Sequence, residues 1–208
     1  MIVLARSWTI TRDSAGGTMP RRPDPTLKPA IVAKVARHLR DTKLEDASVR
    51  SLGRMLGTSA YPIVYHFGTR EALIDAVVDH VSAAEDRSLA PDADPSSLVE
   101  HLIAVFGGLA CPERALAVRL TFELGCVESL DGRDRQQRLH RRRVAELAAW
   151  CRAHGHCDVE ADRTARAAVE AARGAQWAAL VDPDRADVDG ALRGIARDLA
   201  TSARLAAA

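Results

Sequence analysis

Apolar positions recur along this chain at helical spacing, and no segment reads convincingly as a strand. Leu27, Ile31, Val35 and Leu39 repeat every four residues, with Val32 and Ala36 beside them, which makes one amphipathic face. A second, short helix opens after Ser48, a good N-cap type, and carries Val49, Leu52, Gly53 and Leu56 on one side. Gly57 closes it, since helix ends favour glycine in the left-handed region. Ser59 is expected to cap a third helix. Pro62 is then its third residue, where a missing N–H costs no intrahelical bond. Winding that helix turns Ala60, Ile63, Val64 and Phe67 inward. Tyr61, Pro62 and Tyr65 point outward, flanked by Thr58, Ser59 and His66.

The pattern continues to the end of the chain. Thr69 caps a fourth helix with Leu73, Ile74, Val77 and Val81 inward. Asp94 caps a fifth, with Pro95 in its first position and a stripe of Leu98, Leu102, Val105, Phe106 and Leu109. Pro112 starts a sixth, reaching about Val127. Asp131 is expected to cap a long arginine-rich seventh helix that stops at Gly155. An eighth runs from Asp158 to Val181, and Asp187 caps the last. The fold class is therefore all-α, with about nine helices.

The last two helices carry small residues at helical spacing. Ala161, Ala165, Ala168, Ala172, Ala175 and Ala179 line one side of the eighth. Gly190, Leu192, Gly194, Ile195 and Leu199 mark the ninth. Such surfaces let backbones approach closely, and a two-fold subunit interface is expected there. Packing of an alanine-rich helix within one chain would give the same pattern.

Composition adds limits. Alanine, arginine and leucine dominate the 208 residues, a mix that favours helix. No run of eighteen apolar residues marks a membrane span. The opening "MIVLARSWTI" is too short, and too broken by Arg6, for a secretory signal. Residues 1–25 have glycines and prolines but no apolar period, and read as a disordered basic arm with Arg21 and Arg22. "MPRRPDP" at Met19 resembles a second start. Cys111, Cys126, Cys151 and Cys157 have no framework spacing, so a reducing cytoplasm is expected.

The net charge of +1 hides an asymmetry. Met19 to Arg70 holds ten Lys/Arg against four Asp/Glu; Glu71 to Ala208 holds 17 against 23. A basic block on an acidic body points the smaller end at a polyanion. Both tyrosines of the chain, Tyr61 and Tyr65, fall in that block. Two short helices joined by a glycine turn, the second displaying polar and aromatic groups, form a helix-turn-helix pattern. Gly53 fits, because the position four before the turn glycine must be small where the helices cross.

"VRSLGRMLGTSAYPIVYHFGTREALIDAVV" resembles the DNA-binding segment of the tetracycline-repressor (TetR) family of bacterial transcription regulators. The likeness lies in the L-G-x-S turn, the Y-H-F-G end of the recognition helix and the T-R-E-A-L-I-D start of the fourth helix. It covers about residues 26–82. It implies three helices that bind DNA, a helical body that binds a small-molecule effector, and a homodimer. By that resemblance residues 26–70 form the DNA-binding domain, and residues 71–208 the effector-binding and dimerisation domain. Arg50 matches a position that reads a base in some members. Ala60, Tyr61 and Pro62 match the base-reading start of the recognition helix, Tyr65 and His66 its groove-facing and phosphate-facing end, and Arg70 a phosphate grip. The family often has tyrosine where this chain has Val64. Physically, Arg50 and Arg70 supply charge, Thr58 and Ser59 offer hydroxyls to phosphate, and Tyr61 and Pro62 offer apolar edges to thymine methyls.

Phe106, Phe122, Cys126, Trp150 and Trp177, with Arg119, Glu123, His140 and Gln176 as polar partners, suit an effector cavity. They suit a plain core equally. Cys151, His154, His156 and Cys157 are zinc-capable types, but their spacing matches no common structural zinc site and also reads as a helix end. No nucleophile elbow or phosphate loop is present, and no cofactor is expected. The expected protein is a ligand-released repressor, not an enzyme, that binds duplex DNA and itself but no membrane. The alternatives are an all-helical enzyme or small-molecule carrier, and a metal-responsive regulator using residues 151–157.

Overall fold

The computed structural model of this 208-residue chain describes residues 26–82 and 87–206. The arm expected over residues 1–25 lies outside them. Among the described residues the chain forms nine α-helices and no strand: α1 (Leu27–Leu39), α2 (Val49–Met55), α3 (Tyr61–Phe67), α4 (Arg70–Ser82), α5 (Pro95–Phe106), α6 (Pro112–Glu128), α7 (Arg135–Ala153), α8 (Asp158–Val181) and α9 (Val188–Ala206). A single 3₁₀ turn, Leu44–Asp46, precedes α2. No described helix is long and apolar enough to cross a membrane.

Four of the nine described helices start on a side chain that caps their own first turn. The Ser48 hydroxyl accepts from the Ser51 N–H at 3.1 Å, Thr69 from Ala72 at 3.1 Å, Asp94 from Ser97 at 2.8 Å and Asp187 from Gly190 at 2.8 Å. The third helix starts one residue later than Ser59 would place it. Ala60 is the cap residue, Pro62 is second in the helix, and the Ser59 hydroxyl accepts from the Tyr61 N–H at 3.3 Å. Pro62 still forfeits no bond there. The seventh helix also departs from expectation. Asp131 does not cap it but pairs with Arg133, and the helix begins at Arg135. Its first turn is held instead by Glu128, whose carboxylate accepts from the Gln136 N–H at 2.6 Å and the Gln137 N–H at 3.3 Å.

Two apolar clusters organise the molecule. The amino-terminal one joins Val35, Leu39, Leu52, Ile63, Leu73 and Val77 to Leu116, Leu120 and Leu124 of α6. Leu27, at the start of α1, is exposed rather than part of that face. The second cluster packs α5, α7, α8 and α9 around Phe106, Leu147, Trp150 and Leu192. It also takes in Ala161, Ala165, Ala168, Ala172, Leu192 and Leu199, all buried, with Ala175, Ala179 and Ile195 partly buried against it. The small-residue stripe is thus used within the chain, where it lets α8 lie close to its neighbours. Of the residues expected at a subunit interface, Ala165, Ala172 and Leu192 are covered within the chain, while Ala168, Ile195 and Leu199 line an open groove between α8 and α9. The other side of the same helices stays open, with Ala167, Ala171, Trp177 and Val181 of α8 exposed.

Candidate nucleic-acid interface

The site is built on α2, a tight turn, and α3. Ser48 fixes the start of α2, and Gly57 takes φ +71° to end it. The chain then folds back, with the Thr58 N–H donating to the Gly53 carbonyl at 3.0 Å. The two helices meet so closely that a β-carbon on Gly53 would lie 3.0 Å from the carbonyl carbon and oxygen of Ser59. Gly68, at φ +75°, ends α3. Ile63 is fully buried and anchors α3 to the amino-terminal cluster, while Phe67 packs against it half-buried.

The opposite face of α3 is bare. Tyr61 is 68% exposed and Tyr65 58%, and their rings stack at 5.8 Å with an interplanar angle of 27°. Stacking pre-orders two large side chains that would otherwise lose rotamer freedom on meeting a partner. His66 sits edge-on to Tyr65 at 5.0 Å, half-buried. Pro62 and Ala60 are half-buried, and Thr58 and Ser59 are exposed. Val64 is 50% exposed, contrary to its expected inward position. A seven-residue helix docks through a narrow stripe, and Ile63 with Phe67 fills it.

Basic side chains stand exposed on the neighbouring helices. Arg50 is exposed on α2, and Arg54, one turn later, is exposed with it. Lys28 of α1 places its ammonium 5.3 Å from the centre of the Phe67 ring. Sequence reasoning singled out Arg50 but missed Arg54 and Lys28; the i+4 spacing from Arg50 was the available signal for the first. Arg70, expected as a phosphate grip, is tied to the protein itself. Its Nε donates to the Ala47 carbonyl at 2.7 Å, and its terminal nitrogens meet the Leu44 carbonyl and Glu71. It fastens α4 to the 3₁₀ turn ahead of α2.

The residues expected around an effector do not gather at one cavity. Phe106 and Trp150 are core, and the Trp150 indole donates to the Ala93 carbonyl at 2.7 Å. Gln176 is buried and donates to the Phe106 carbonyl at 2.8 Å. Arg119 donates to the carbonyls of Leu39, Arg40 and Thr42, closing the end of α1, and pairs with Glu123. Phe122 meets the exposed Trp177 edge-to-face at 5.5 Å, and Cys126 is exposed nearby on α6. His140 lies in a shallow cleft with Arg152 and Asp162. A cleft of about 390 Å³ instead opens between α4, α6 and α7, lined by Val78, Asp79, Thr121, Arg135, Leu139 and Arg142. Arg135 crosses to Asp79 at 2.5 Å.

Residues 151–157 do not assemble. Cys151 is buried, His154 stacks on Trp150 with its Nδ1 2.8 Å from the Trp150 carbonyl, His156 is buried, and Cys157 is exposed. Among the described residues no three His, Cys, Asp or Glu side chains are arranged to hold a metal.

No family model matches the chain, and no curated protein matches it in sequence. Solved structures do. A transcriptional regulator from Rhodococcus sp. Rha1 superposes with a TM-score of 0.68 at 17% identity, covering 84% of this chain and 96% of that one. A TetR transcription regulator from Haloarcula marismortui gives 0.66 at 16% identity, covering 85% and 97%. This chain has the TetR fold. Mycobacterium smegmatis BioQ agrees, with a TM-score of 0.57 at 22% identity over 86% and 98% of the two chains. In the TetR fold described here, α2 and α3 are the helix-turn-helix and α4 joins it to the helical body.

Proposed function

We propose that this protein is a cytoplasmic transcriptional repressor that binds a palindromic DNA operator as a homodimer and is released by a small molecule. The observation that carries the reading is the bare, stacked pair Tyr61 and Tyr65 on a seven-residue helix of a basic helix-turn-helix. An enzyme or carrier that used the amino-terminal helices only for packing would leave those rings without a task. Arg50, Arg54 and Lys28 supply the cations that displace counterions from phosphate, and Thr58 and Ser59 the hydroxyls that set register. Arg70 acts behind them by holding α2 in place.

The second copy is proposed to sit on the open side of α8 and α9. A groove of about 480 Å³ lies there between Ala167, Ala171, Ile195 and Ser202. The effector is proposed to enter the cleft beside α4, where it would compete for the Asp79–Arg135 pair and shift the helix that carries the DNA-binding unit. DNA captured from a random duplex pool tests the central claim. Retention should fall steeply between about 50 and 200 mM salt. Tyr61→Ala combined with Arg50→Ala should lose the selected operator while keeping the wild-type melting curve; unchanged affinity would remove this surface from the reading.

A further inference from the structure

We infer that Val64 reads the operator by packing against the 5-methyl group of a thymine. This rests on the DNA-binding reading above and names a chemical feature of the site bound. Ile63 already fills the core position of α3, and Val64 is half exposed on the same helix as the bare rings of Tyr61 and Tyr65. Positions 61, 64 and 65 share one helix face. An exposed valine is a costly choice there for the free protein. It lowers helix propensity by about 0.5 kcal/mol relative to alanine and leaves apolar surface wet. A side chain without donor or acceptor cannot hold a phosphate or bond to a base edge. The apolar feature that duplex DNA offers a helix in its major groove is the thymine methyl. Basic residues on the same domain, Arg50, Arg54 and Lys28, are complementary in charge to that partner.

The experiment begins with the operator selected from a random duplex pool by the wild-type protein. Each thymine is then replaced in turn by deoxyuridine, which removes only the methyl, and affinity is measured for wild type and Val64→Ala. One thymine in each half-site should cost the wild type about fourfold when demethylated, the worth of one buried methyl group. The same replacement should cost Val64→Ala nothing. A 5-methylcytosine–guanine pair at that position should bind the wild type more tightly than its unmethylated counterpart. No retained DNA at all sinks the DNA-binding reading itself. Tight binding that ignores every thymine methyl, an operator without thymine, or an uracil penalty unchanged in Val64→Ala, sinks this inference and leaves that reading intact. Val64 lies outside the buried amino-terminal cluster, so the melting curve of Val64→Ala should stay close to that of the wild type.

Discussion

A β-carbon on Gly53 would meet backbone atoms of Ser59 at 3.0 Å, and backbone, unlike a long side chain, has nowhere to go. Gly53→Ala should therefore destabilise the fold by about 1–3 kcal/mol in urea denaturation and weaken DNA capture with it. Burial does comparable work at two ionisable groups. It pushes the Cys151 thiol up to about 11, so a maleimide at pH 7 should modify the exposed Cys111, Cys126 and Cys157 quickly and Cys151 only after unfolding. It also holds the His101 imidazole below its ordinary 6.5; Glu146 pulls the other way from 3.9 Å, and Arg143 adds to the depression. The unfolded chain then takes up a proton near pH 6.5 that the folded chain refuses, so His101 contributes stability above that pH and loses it as pH falls toward the depressed value. Melting temperature should drop less between pH 7 and pH 5 in His101→Gln than in the wild type. The outward tyrosines were legible in the sequence because helical winding alone decides them. Val64 was not: a short helix has room for only a narrow buried stripe, and which apolar residue is left over depends on the neighbouring helices.

At the scale of elements, starts set by the next few residues could be read and starts set from afar could not. Ser48, Thr69, Asp94 and Asp187 each bond within their own first turn. The first turn of α7 is closed by Glu128 across the intervening loop, so the nearer Asp131 was a reasonable but mistaken cap. Glu128→Ala should cost about 1–3 kcal/mol, because two N–H groups lose a charged acceptor, and the loss should appear in chemical denaturation. Arginines act similarly at helix ends. Arg114 donates to the Ala104 and Gly107 carbonyls at the end of α5, Arg119 to those at the end of α1, and Arg70 to the turn before α2. The carbonyl partners of Arg119 and Arg70 come from distant segments, so these bonds were not legible in the sequence, where only the charge announces itself. Removing the Arg119 fork while keeping its stem, as Arg119→Met, should loosen α1 against α6; faster amide exchange at the end of α1 is the measurement.

For the whole molecule, helix number and order were plain from periodicity, but the use of the alanine stripe was not. The same spacing serves a fold's interior or its boundary, and only the positions of α7 and α9 decide. The proposed partner surface centres on the open side of α8 and α9, and Ala171→Arg should turn a dimer into a monomer in sedimentation while sparing the fold. Element α6 supplies Leu116, Leu120 and Leu124 to the amino-terminal cluster although they lie far along the chain. Domain shuffling meets an obstacle there. A chimera that grafts foreign amino-terminal helices at residue 82 onto this body would inherit a mismatched seam, and must carry those three leucines' complement along with it.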